Sequence, residues 1–472
     1  MGLLSTLVLA RLLVPADFGL VAIATTMLAV LQTITNMSLG QALIHHPDPT
    51  TDHFHAAWTL NALRGLVVGG LFAAAGQPIA VFYGDARLAP VVAVLGASVF
   101  LNGLMNPKRI MLQKKLVFWQ DFVLTVSAKL VGLIVSVWLA FATKSYWALV
   151  WGQVAAQGTS VLVSYMVLPM LPRPRWRASR ELFGFSAWLT LSQIVNTINW
   201  RFDQLLIGKF LGRSDLGLYT VGDNLALMPT REATLPLTQT LFPAYANVRD
   251  DRKRLLRAYQ RSQALVTAIA LPLGVGMALL AKPLVLIAMG PKWLGAVVVI
   301  QALAAIFALQ TLGTLVQPLG MSLGATRRLF KRDVMLLVVR VPIIVAGMFL
   351  HGLIGVVIAR VITGIIAIGF NLTLVRSLLG LPIVEQIRAN ARTLFAVAVM
   401  AAMLTAWHLL LSEPEDQTAL IAATAVQIAL GGAAYLGTLA TTWWLQSRPA
   451  GPETEVAAML GKLHMRWQGA RG

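Results

Sequence analysis

The sequence predicts an all-α polytopic membrane protein: two six-helix lobes related by a pseudo-two-fold axis along the membrane normal, then two further helices. Three observations lead there. Charged residues are only 12% of the chain against 57% hydrophobic, with a mean hydropathy of +0.73, whereas soluble domains carry about 25% charge. Apolar runs near the length that crosses a hydrocarbon core, about 20 residues, recur along the whole chain. Finally, ARLLVPADFGLVA at 10–22 returns as GKFLGRSDLGLYT at 208–220.

In chain order the runs are 18–44, 56–83, 88–106, 119–142, 146–170, 182–208, 216–245, 262–289, 296–320, 333–350, 353–379, 393–411 and 418–445. The repeat aligns Arg11 with Lys209, Asp17 with Asp215, Gly19 with Gly217 and Gln41 with Gln239. At a slightly larger offset, YGDARLAPVVAV from Tyr83 matches MGPKWLGAVVVI from Met289. An even number of spans per copy inserts both copies in the same direction, giving a parallel repeat. The first lobe is residues 1–171, with an incomplete first helix. Residues 172–181 form a proline-broken basic linker, 182–380 the second lobe, 381–445 a surface segment with two added spans, and 446–472 a disordered tail. The apolar Gly2–Leu13 is too short to cross alone and matches the end of the 182–208 run. The expectation is therefore a first helix lacking its start, and 14 spans in the complete protein. The alternative is a short or re-entrant segment; nothing resembles a cleaved signal peptide.

The net charge of +19 does not point to nucleic acid, because its placement is topological. With the turn after Val14 outside, the loops on the opposite side hold 25 Lys and Arg and the outer loops hold 7. That asymmetry puts the basic loops and the C-terminus in the cytoplasm and attracts anionic lipid heads. The acidic turn SEPEDQ at 412–417 then falls outside. With zero cysteines, disulfide and thiolate chemistry are excluded. There is no Walker loop, HExxH or nucleophile elbow, and the short outer loops leave no room for a polymerase or transferase site. No enzymatic activity is expected.

Ionisable groups within spans cost about 2.5–3.5 kcal/mol each on insertion scales, so they are functional candidates. Arg231 and Glu232 fall near the middle of their run, with Asp223 two turns earlier and expected on the face of Arg231. Their counterparts in the first copy, Thr33, Ile34 and Thr25, are uncharged. Arg64, Lys129, Arg201, Arg340 and Arg360 add cations, so that basic groups outnumber the deep acids Asp203, Asp223 and Glu232. This excess suggests a passage that attracts an anion such as a pyrophosphate. The plainer reading is interhelical salt bridges, with Arg64 and Arg360 snorkelling to the nearer interface. Gln193, Asn196, Trp200 and Asp203 recur along one face of the 182–208 run, and Thr25, Gln32 and Asn36 along the 18–44 run. Both faces suit a wet cleft for sugar hydroxyls, or interhelical hydrogen bonds. GLVVGG at 65–70 reads as close helix packing. The loop HHPDPTTDHFH, with His45, His46, His53, His55, Asp48 and Asp52, matches no standard zinc spacing, and no metal is expected.

LARLLVPADFGLVAIA, VFYGD at 81–85, WALVWGQ at 147–153 and LLAKPLVLIAMGPKW at 279–293 occur in the order found in one known family. So does the passage from NTINWRFDQLLIGKF to VRDDRKRLLRAY. The chain resembles polysaccharide exporters of the multidrug/oligosaccharidyl-lipid/polysaccharide flippase superfamily, closest to the lipopolysaccharide and colanic-acid type, over about residues 1–380. The resemblance implies a central cationic cavity, lined by Arg201, Asp203 and the Arg231 region. It also implies export of a polyprenyl-pyrophosphate-linked oligosaccharide across a bacterial inner membrane by alternating access. No cofactor is expected beyond coupling to an H+ or Na+ gradient. A polysaccharide polymerase and a chain-length regulator are the protein partners in view. Two rivals stand beside this reading. A multidrug antiporter of the same superfamily wants an acidic cavity, which the cation excess disfavours, and a non-transporting scaffold would not need midplane charge.

Overall fold

The computed structural model describes residues 2–35, 43, 49–114, 118–175, 187–411, 414 and 416–447. Asn36, His45, His46, Asp48, most of the linker and the tail beyond 447 lie outside them. Among the described residues the regular structure is helical. The chain divides into two compact units, Met1–Val221 and Gly222–Gly472.

The first unit runs α1 Gly2–Leu12, α2 Pro15–Ile34, α3 Thr51–Ala74, α4 Gly76–Tyr83, α5 Leu88–Gly103, α6 Arg109–Lys114, α7 Phe118–Thr143, α8 Trp147–Val167 and α9 Ala187–Phe210. It also takes the first turns of α10, Arg213–Ala246. Pro15 opens α2, where its fixed φ suits a helix and its missing N–H is not needed. The run 56–83, expected as one span, is broken at Ala75 into α3 and α4. Pro78 sits in the first turn of α4, where a proline starts a helix but cannot continue the preceding one. Tyr83 is followed by Gly84 in the left-handed region, φ 72°, which closes α4. The GLVVGG segment packs as expected. A Cβ at Gly69 would lie 2.4 Å from the carbonyl oxygen of Gly96, and one at Gly96 would lie 2.5 Å from that of Gly69. The α3 and α5 backbones therefore touch.

The repeat is visible at α2 and α10. A Cβ at Gly19 would meet the carbonyl oxygen of Arg213 at 1.7 Å, and a Cβ at Gly217 would meet that of Pro15 at 1.8 Å. Pro15 aligns with Arg213 as Gly19 aligns with Gly217, so this is one contact seen from each copy. Such reciprocity is the mark of a two-fold relation.

The second unit continues α10 and adds α11 Arg252–Leu279, α12 Ala281–Ala288, α13 Gly295–Gln310, α14 Val316–Ser322, α15 Thr326–Leu379, α16 Ile383–Arg388, α17 Ala391–Leu410 and α18 Gln417–Leu445. The run 262–289 is broken at Leu280, next to Pro283 in the first turn of α12, and Gly290 follows with φ 89°. This repeats the α3–α4–Gly84 arrangement of the first copy. The run 296–320 is interrupted by a 3₁₀ turn at Thr311–Gly313. In α15 two arms meet at His351 and Gly352, whose φ/ψ are not helical, as the separate runs 333–350 and 353–379 anticipated. Asp251 caps α11 by accepting the Arg254 backbone N–H at 3.0 Å. Asp416 caps α18 through the N–H groups of Thr418 and Ala419, each at 3.1 Å.

Eight helical segments among the described residues are long and apolar enough to cross a bilayer. Large apolar side chains such as Leu71, Trp138, Phe349 and Leu409 are exposed on the helices. A water-soluble chain would bury them, and a bilayer accommodates them. The chain is a multi-pass membrane protein.

Candidate functional site

In the first unit, the polar face of α9 changes character along its length. Asn196 and Trp200 are exposed and Gln193 is half-buried, whereas Asp203 is buried at 1%. Towards its C-terminal end α9 packs on α2: Thr26 donates to Gln204 Oε1 at 2.7 Å and Thr197 donates to Thr33 Oγ1 at 3.2 Å. Arg201 donates to the same Gln204 oxygen at 3.1 Å. An amide carries no charge, so among the described residues this contact leaves the guanidinium without a carboxylate partner. Asp203, expected in the wet cleft, is instead consumed internally. It accepts the Tyr219 hydroxyl and, at 2.9 Å, the backbone N–H of Gln204. Asn196 and Trp200 are thus open while Asp203 and Ile207 are buried, with α2 reaching along the neighbouring face of α9 as far as Thr197.

Arg64 is half-buried and donates to the carbonyl of Thr35 at 3.3 Å. Thr35 ends α2, and a cation there meets the negative end of the helix dipole. Lys129 is exposed on α7, a helix that also exposes the apolar side chains Phe122, Ile134 and Trp138.

In the second unit, Asp223 and Arg231 part company. Asp223 is 8% exposed and receives Nη2 of Arg360 at 3.3 Å. Arg231 has 57% of its side chain exposed and pairs with its neighbour Glu232 at 3.1 Å. Eight residues at 3.6 per turn advance about 80° round a helix, so the expectation of one shared face fails. Arg360 does not snorkel either. It is 2% exposed, with its guanidinium 5.6 Å from the Phe307 ring centroid. Arg340 is half-buried.

Sequence reasoning missed two constellations. Arg332, counted as a loop charge, binds Asp333 at 2.7 Å, Gln317 at 3.0 Å and Asn371 at 3.2 Å. It ties together α14 and both arms of α15. Its adjacency to Asp333 in KRD was the available signal. In the first unit, Asp85 of the YGD turn takes Arg87 at 2.7 Å and Arg213 at 3.0 Å. Lys209 lies over Phe82, 4.3 Å from the ring centroid, and donates to the Phe82 carbonyl. Among the described residues no group of three potential metal ligands occurs.

Residues 8–298 match the family model described as polysaccharide biosynthesis protein. The lipopolysaccharide biosynthesis protein WzxC of Escherichia coli K12 is 25% identical over 78% of this chain and 75% of its own length. The succinoglycan biosynthesis transport protein ExoT of Rhizobium meliloti is 27% identical over 61% of this chain and 58% of its own. The inward closed structure of the lipid II flippase MurJ superposes with a TM-score of 0.73 at 14% identity, covering 95% of this chain and 97% of that one. That likeness establishes a shared fold.

Proposed function

The chain belongs to the polysaccharide biosynthesis protein family, and from that premise we propose that it is a flippase for lipid-linked oligosaccharides. It carries a polyprenyl-pyrophosphate-linked repeat unit of a surface polysaccharide from the cytoplasmic to the outer leaflet of a bacterial inner membrane. The polyprenyl chain stays in lipid while the charged, glycosylated head crosses through a polar passage.

Arg231 carries this reading. An arginine in the middle of a 34-residue helix, more than half exposed, is costly against hydrocarbon and inexpensive against a wet passage. Its partner Glu232 is equally exposed, so an arriving diphosphate can compete for the guanidinium. Arg201, whose hydrogen-bond partner among the described residues is an amide oxygen, directly follows the exposed Trp200 and lies five residues beyond the exposed Asn196. This offers a cation for phosphate and an aromatic and amide surface for sugar. Asp203 and the Asp223–Arg360 pair, consumed by their own partners, set helix positions in this reading. Opening alternates between the two faces as the substrate binds one arrangement better than the other. An H+ or Na+ gradient drives the cycle, and a polymerase and chain-length regulator receive the product. The basic loops and the C-terminus face the cytoplasm.

In a deletion strain, lipid-linked oligosaccharide should accumulate on the cytoplasmic leaflet. Arg231→Ala should reach the membrane at normal levels yet fail to restore surface polysaccharide. Normal export by that variant would remove Arg231 from the passage. An unchanged leaflet distribution in the deletion strain would overturn the assignment.

A further inference from the structure

At the basic end of the first unit, the segment leaving α8 folds back over the start of α3 and forms one wall of an open pocket. The strap is fixed at both ends. Asn106 Nδ2 donates to the Leu168 carbonyl at 2.6 Å. Further on, the Arg175 backbone N–H donates to Thr59 Oγ1 at 3.0 Å, and the Arg175 guanidinium pairs with Asp52. Between these anchors lies a cavity of about 280 Å³ lined by Thr51, His55, Lys108 and Arg173, with Met170 and Leu171 on its apolar side.

The donor set is one-sided. His55 Nδ1 accepts the Arg173 backbone N–H at 3.3 Å, so the neutral ring carries its proton on Nε2 and can donate it. Lys108 spends one of its three hydrogens on the Pro169 carbonyl, at 3.2 Å. The Arg173 guanidinium makes no hydrogen bond or ion pair with a described residue. Asp52, the nearby carboxylate, is occupied by Arg175. The walls therefore present two full positive charges, an imidazole N–H and a hydroxyl, and, among the described residues, no lining carboxylate.

We propose that this pocket binds a phosphate group, carried by an anionic lipid headgroup at the membrane surface or by a soluble phosphate. Basic pockets between helix ends are suited to such headgroups, and a forked guanidinium beside a point-charge ammonium is the usual pairing for phosphate oxygens. The site is separate from the Arg201 and Arg231 positions, and its occupancy does not depend on what the protein transports.

The test uses the full chain purified in neutral detergent, following its thermal unfolding midpoint. Dioctanoyl phosphatidic acid, dioctanoyl phosphatidylcholine and inorganic phosphate are titrated at matched ionic strength. Phosphatidic acid should raise the midpoint, and its half-saturating concentration should rise at least about tenfold in Lys108→Gln/Arg173→Gln, which removes two charge-assisted bonds. The control Arg249→Gln/Arg254→Gln loses the same charge in the other unit and should leave that concentration within about twofold. Protection by inorganic phosphate as strong as by the lipid, and lost in the same variant, supports the site with a soluble anion as its ligand. Equal protection by phosphatidylcholine, or an equal loss in the control, overturns the proposal. If the double variant does not fold, Arg173→Gln alone carries the test, since that guanidinium holds no described residue in place. An unchanged titration in that single variant likewise overturns the proposal.

Discussion

Replacing Gly19 by alanine puts a methyl carbon 1.7 Å from the carbonyl oxygen of Arg213, where carbon and oxygen ordinarily stop at about 3.3 Å. The two helices must open by roughly 1.6 Å at this crossing, since both atoms belong to rigid backbone. Overpacking of this kind costs up to about 3 kcal/mol, and the better helix propensity of alanine returns about 1, leaving a net loss of about 2 kcal/mol. For a unit of this size that lowers the unfolding midpoint by roughly 4–8 °C. The assay is thermal unfolding of the purified protein in detergent, with Gly70→Ala as the matched control, because a Cβ there meets nothing within 4 Å. Gly217→Ala should cost about as much as Gly19→Ala, since its 1.8 Å clash is the mirror contact. The double variant should cost clearly less than the sum, because the first substitution already separates what the second would push apart. If Gly19→Ala unfolds with Gly70→Ala, or the two losses add in full, the crossing is not the close reciprocal contact described.

Arg360→Met leaves Asp223 buried without its cation and should cost about 3 kcal/mol. Arg360→Met/Asp223→Leu should recover most of that in the same unfolding measurement, and failure to recover would show that the pair holds more than its own charges. Arg332→Lys keeps the charge but loses the fork that reaches Asp333, Gln317 and Asn371 at once. A loss of about 1–2 kcal/mol is expected, and none at all would mean that the network is not formed. Because the chain has zero cysteines, single substitutions report sidedness cleanly. Arg87→Cys should react with an impermeant maleimide in intact spheroplasts, and Arg254→Cys only after lysis; the reverse pattern would invert the topology.

The helices themselves were readable because hydrophobic length is a one-dimensional property. Each expected run holds helix, and the runs ending in GMFL at 350 and beginning in LIGV at 353 correctly foretold two arms inside α15. The breaks at Ala75 and Leu280 were also written in the chain, as Pro78 and Pro283, but a continuous apolar stretch concealed them. Side-chain partnership was the less legible layer. Asp223 and Arg360 are 137 residues apart, and nothing local in either segment announces the other. The phase error that set Asp223 beside Arg231 arose because two turns and a fraction were read as two turns. Arg332 looked like one of many basic residues at a helix end, and only the folding back of α15 brings Asn371 to it. The backbone contact at Gly19 was the most deeply hidden, since a glycine in a helix reads as weakness until the neighbour against it is known.

The arms of α15 are joined by a turn of two residues, with Gly347 and Gly355 so close that a Cβ on the second would lie 1.8 Å from the carbonyl oxygen of the first. No slack separates them, and sliding one arm along the other would drive backbone into backbone. The hairpin is thus pinned twice, by backbone contact beside its turn and by the Arg332–Asn371 hydrogen bond far from it. Those two ties, one at each end, make the 54 residues of α15 a braced pair of arms rather than two independent spans.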